Sequence, residues 1–110
     1  MMQQPSPRQA AMTDRELLEL AAKAAGIETF RTSAGNLVTD NNGKSWNPLT
    51  DDGDALRLAV KLRLDITFGT FGIYAGKTLE DTCHRVPSYD SEATRRAIVR
   101  AAAEIGRAMP

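Results

Sequence analysis

Trp46-Asn47-Pro48-Leu49-Thr50-Asp51-Asp52-Gly53-Asp54-Ala55-Leu56-Arg57-Leu58-Ala59 decides the reading of this chain. A proline stop is followed at once by residues that cap helices, and then by an apolar helical stripe. Either Thr50 or Asp51 can accept the first free helix amides, and Asp54 sits in the first turn, where negative charge suits the helix dipole. Ala55, Leu58, Ala59 and Leu62 form one stripe, widened by Leu56 and Val60. Asp54, Arg57 and Lys61 mark only a narrow polar strip, so this helix, about 51–63, is expected to pack on more than one side.

Upstream, Thr13-Asp14-Arg15-Glu16 fits a capping box. Leu17, Leu18, Ala21, Ala24 and Ala25 follow at helical spacing, and Gly26 suits the C′ position. A first helix over about 13–25 results. The polar, proline-containing stretch Met1–Ala11 reads as a disordered lead-in, with Met12 a candidate initiator, leaving one domain over 13–110. Between the two helices, Glu28–Arg31 and Leu37–Thr39 flank the turn-rich Ser33-Ala34-Gly35-Asn36 and read as a hairpin. Lys44–Trp46, after Asn42-Gly43, is a candidate third strand.

Downstream, Leu64, Ile66 and Phe68 alternate with Asp65 and Thr67. Gly69-Thr70 suits a tight turn, and Phe71, Ile73 and Ala75 continue the alternation on a return strand. Thr78–Val86 reads as an irregular edge strand, ended by Pro87 and Ser88. A third helix, capped by Asp90 or Ser91, runs over about 91–107. Ala93, Ala97, Ile98, Ala101, Ala102 and Ile105 form its apolar face, opposite Arg96, Arg100, Glu104 and Arg107. The order α-β-β-α-β-β-α implies an α+β domain: an antiparallel sheet of about four strands covered by three helices.

Three stretches of this pattern are similar to a group of small phage and prophage proteins whose domain is described as the phage ABA sandwich. They are Met12–Leu18, Trp46–Val60 and Ala93–Glu104, which cover parts of the three helices and little of the β regions. The resemblance implies the fold and a phage origin. It implies no established activity and no assigned catalytic residues.

The composition narrows the function classes. Lys plus Arg balances Asp plus Glu, which weighs against a non-specific nucleic-acid binder. No apolar run reaches membrane-spanning length, and the start lacks the basic-then-apolar pattern of a secretory leader. Cys83 is the single cysteine, so no intrachain disulfide forms and a reducing cytoplasm is expected; the phage resemblance implies that of the host cell.

Individual residues suggest little chemistry. Asp51-Asp52-Gly53-Asp54 bunches its acids too closely for a calcium loop and lacks the closing Glu; helix capping is the better account. Cys83 and His84 are strand neighbours pointing to opposite faces, and one thiol plus one imidazole falls short of a zinc site. Gly69, Gly72 and Gly76 match neither phosphate-loop nor dinucleotide spacing. No catalytic residue, metal or cofactor is therefore assigned. Two surfaces remain. Arg95, Arg96, Arg100 and Arg107, with Arg85 nearby in sequence, make the third helix basic: a docking strip for an acidic partner, or a solvated face. Trp46, Tyr74 and Arg85 define a possible small-molecule or nucleotide site, although Trp46 beside Pro48 fits a core plug better. The leading expectation is a binder of a host or phage protein, acting without catalysis through the arginine face or the edge of the second hairpin. A ligand binder and a nucleic-acid accessory protein are the alternatives, and homo-oligomerisation stays open.

Overall fold

A computed structural model describes residues 12–31, 37–39, 45–69, 72–76, 84–86 and 90–110, with backbone alone at 31, 39 and 84–86. The lead-in and Thr78–Cys83 lie outside the described residues. The second hairpin turns one residue later than the expected Gly69-Thr70, because Gly69 is paired with Gly72 as the last residue of its strand.

Helix α1 spans Asp14–Ala25. Both arms of its capping box are made: the Glu16 amide donates to Thr13 Oγ1 at 3.1 Å, and the Thr13 amide donates to Glu16 Oε1 at 2.9 Å. Gly26 ends it in the left-handed region, at φ 69°. Strands β1 (Thr29–Arg31) and β2 (Leu37–Thr39) pair antiparallel, with Phe30 opposite Val38. Of the expected third strand at 44–46, the described residues, 45 and 46, show a single bridge, Val38 to Ser45, after which the Trp46 amide donates to the Leu37 carbonyl.

Helix α2 runs Asp52–Leu62, and Asp51, not Thr50, is its N-cap, accepting from the Asp54 amide at 2.8 Å. It ends on Arg63 in the left-handed region, at φ 55°. Strands β3 (Asp65–Gly69) and β4 (Gly72–Gly76) form a hairpin, and β5 (His84–Val86) pairs on the far side of β4, giving the order β3-β4-β5. Helix α3, Ser91–Ala108, is capped by Asp90, whose Oδ1 accepts from the Ala93 amide at 2.7 Å.

The class is α+β and three helices are present, but the expected single sheet is not. The described strands form a two-stranded and a three-stranded antiparallel sheet, separated in the chain by α2. The physical reason lies in what each covers. Leu37 of β2 joins the helical core, whereas Ile73 and Ala75 of β4 lie on α3.

Helix α3 is the element shared by two cores. Ile98, Val99, Ala102 and Ala103 face a cluster built with α1, α2, Trp46 and Leu49. Ala93, Ala97 and Ala101 face Ile73 and Ala75 of the sheet. Small side chains at these positions let sheet and helices close on α3 from both sides. Gly106 marks the tightest approach: a Cβ there would collide with the Leu20 carbonyl oxygen of α1.

Candidate functional site

The segment that decided the sequence reading is sealed by its own polar groups. The Asn47 amide donates to Asp54 Oδ2 at 3.0 Å, and the Leu49 amide donates to Asn47 Oδ1 at 2.9 Å. Arg57 Nη2 donates to Asp54 Oδ1 at 2.8 Å, so the buried Asp54 carboxylate is held by both a backbone amide and a guanidinium. Pro48, Leu49 and Trp46 are buried beneath this network. The acidic cluster therefore shapes a helix entry. A recess of 510 Å³ beside it is lined by Ser45, Asn47, Thr50, Asp51 and Asp54.

The arginine strip is divided. Arg95 turns toward α2, donating from Nε to the Leu49 carbonyl at 2.8 Å and pairing through Nη1 with Asp52. Arg96 pairs with Asp14 at the start of α1, at 3.3 Å. Arg107 pairs with Glu104 at 2.9 Å. Arg100 is exposed and has no ion pair among the described residues. Two of the four arginines thus tie α3 to the starts of α2 and α1. The other candidate set is also separated. Tyr74 and Arg85 stand opposite each other in register on β4 and β5. Trp46 lies in the helical core, 6% exposed.

What sequence reasoning missed is an uncovered apolar surface. Helix α2 is buried on one side only, through Ala55, Leu58, Ala59 and Leu62. Leu56 and Val60, one turn apart on its other side, are 61% and 67% exposed. The expectation that this helix packs on several sides is overturned, because α1 and α3 both meet the same face. Phe68 of β3 is 64% exposed. Leu56, Phe68, Ile66 and Ile98 line a groove of 490 Å³ between α2, β3 and the start of α3, with Asp52, Asp90 and Arg95 among its polar lining. The available signal was the Leu56/Val60 pair itself, standing off the main stripe beside Arg57 and Lys61.

The strand beside this groove is a sheet edge. β3 has β4 on one side and no strand on the other among the described residues. Gly69 faces Gly72 with two residues between them, a spacing that makes the flanking pair hydrogen-bonded. Pairs then alternate, so Thr67 with Tyr74 is also hydrogen-bonded, while Ile66 with Ala75 and Phe68 with Ile73 are not. The backbone N–H and C=O groups of Ile66 and Phe68 are therefore directed away from β4, toward the open edge. The two residues that line the groove with side chains also present their main-chain groups along the edge beside it. On the opposite face, a Cβ at Gly69 would stand 3.0 Å from the Tyr74 ring, so a larger residue there would have to displace the ring slightly.

Comparison with protein-family models, with curated proteins and with solved structures finds no match for the chain. Among the described residues no helix is long and apolar enough to cross a membrane, and no group of three or more His, Cys, Asp or Glu side chains is placed to hold a metal ion.

Proposed function

We propose that this chain acts by binding another protein, without catalysis, and that its binding surface is the α2–β3 groove with the adjoining strand edge. The observation that carries the reading is the coincidence of two exposed apolar side chains in the groove, Leu56 and Phe68, with a strand, β3, that has no neighbour on its other side among the described residues; Val60, one turn from Leu56 on α2, extends the exposed apolar face of that helix. Large apolar side chains gathered on one surface mark interaction sites in soluble proteins. An edge strand beside such a surface suits an extended segment that adds main-chain hydrogen bonds and places alternate apolar side chains in the groove. The polar groups around it are engaged in helix caps and ion pairs: Asp90 with the Ala93 amide, Asp52 with Arg95. That supports binding over chemistry. The resemblance to small phage and prophage proteins supports a host or phage protein as the partner, with host takeover or inhibition of host defence as the role.

The test compares the wild-type chain with Leu56→Glu/Val60→Glu and Arg96→Glu/Arg100→Glu as baits in host lysate, followed by affinity measurement with the purified partner. The expected result is a partner held by wild type and by the arginine variant and lost by the α2 variant. Loss with the arginine variant alone, at a native circular dichroism spectrum, moves the site to α3.

A further inference from the structure

We propose that β3 pairs with β3 of a second copy of this chain, antiparallel, with Thr67 on the two-fold axis. The register follows from the backbone. Only Ile66 and Phe68 offer outward N–H and C=O groups, so a partner strand must place its own outward residues opposite them. Centring on Thr67 sets Ile66 opposite Phe68 and Phe68 opposite Ile66, which satisfies every outward group of both edges between 65 and 69. Registers centred on Ile66 or Phe68 leave one outward residue of each strand without an outward partner inside β3.

The same register sorts the side chains. Ile66 and Phe68 of both copies come together on the helix-facing side, where each shares its groove with the exposed Leu56 of α2. Thr67 meets Thr67 on the other face, a favourable cross-strand pair. Asp65, the one charged residue of β3, stands opposite Gly69 and meets no like charge. The copies carry no formal net charge to hold them apart at long range. Among the described residues the edge lacks protection against such pairing: β3 contains no proline and no lysine, and its register with β4 runs without a bulge. A five-residue strand and one helix face make a small interface, of the transient class, so the dimer is expected to form in a concentration-dependent way. Self-pairing and capture of a partner segment use one edge and exclude each other. The inference does not rest on the partner reading, since dimer and partner complex are measured separately.

The experiment places single cysteines on the exposed face of β3 in a Cys83→Ser background. Thr67→Cys puts two thiols across a non-hydrogen-bonded pair, where the Cα separation suits a disulfide. Asp65→Cys is equally exposed but lies two residues off the axis. Under mild oxidation the expected result is at least a tenfold faster dimer cross-link at 67 than at 65. Light scattering of the uncross-linked wild type should show the mass rising toward two chains with concentration, and Phe68→Lys should remain monomeric with an unchanged far-UV spectrum. Equal cross-linking at both positions overturns the register. A wild type that stays monomeric across the micromolar range overturns the dimer, whatever the lysate baits retain.

Discussion

Helices α2 and α3 are both amphipathic by sequence, yet the structure treats their apolar residues oppositely. α3 buries Ala97, Val99, Ala101, Ala102 and Ala103 completely, because α1 and α2 lie on one side of it and β4 on the other. α2 buries a single side and leaves Leu56 and Val60 bare. Small residues invite neighbours from several directions. Larger apolar residues that the fold leaves uncovered become a surface for something else.

The contrast is broken most severely at Gly106. Gly106→Ala forces the α3–α1 approach apart against backbone, and overpacking of that kind should lower stability by about 3 kcal/mol, read by chemical denaturation. A loss below about 0.5 kcal/mol would show that the two helices separate freely and that α3 is less confined than described.

A second test, of similar size, stays within α2. Leu58→Ala empties a site that is 1% exposed and should cost about 3 kcal/mol, whereas Val60→Ala, at 67% exposed, should stay within about 0.5 kcal/mol. Comparable losses at both positions would mean that Val60 is covered in the free protein, and the outer face of α2 would lose its standing as an open surface.

The smallest expected effect separates the arginines. Arg95→Ala removes a charge-assisted bond to the Leu49 carbonyl and a contact with Asp52, and should cost about 1.5 kcal/mol. Arg100→Ala, on the solvent side, should change stability by less than about 0.5 kcal/mol. Thermal melts of the two variants side by side decide whether the strip is half structural.

The sequence announced what is settled over short distances. Thr13 with Glu16, Asp51 with Asp54, and Gly26 act within a few residues, so the starts of the first two helices and the stop of α1 were legible to within a residue or two. At α3 the same logic left Asp90 and Ser91 open, and Asp90 is the cap. The division into two sheets was not legible, because it depends on which layer each hairpin meets rather than on its own alternation. For the same reason periodicity placed Leu56 and Val60 on α2 without revealing that no layer reaches them. Arg95 and Arg96 find their acids on other helices, Asp52 and Asp14, at separations no local pattern encodes. The candidate site was therefore half foreseen: the edge of the second hairpin was expected, and its apolar floor was not.

The position of α3 in the chain has a consequence for synthesis. Every other described element precedes it, and both cores draw residues from it. A polypeptide emerging from the ribosome can form the local caps of α1 and α2 early, but neither apolar layer closes until α3 has left the exit tunnel. At about 5–20 residues per second that interval is brief, yet for its duration Leu17, Leu58 and Ile73 are bare together and open to chaperones.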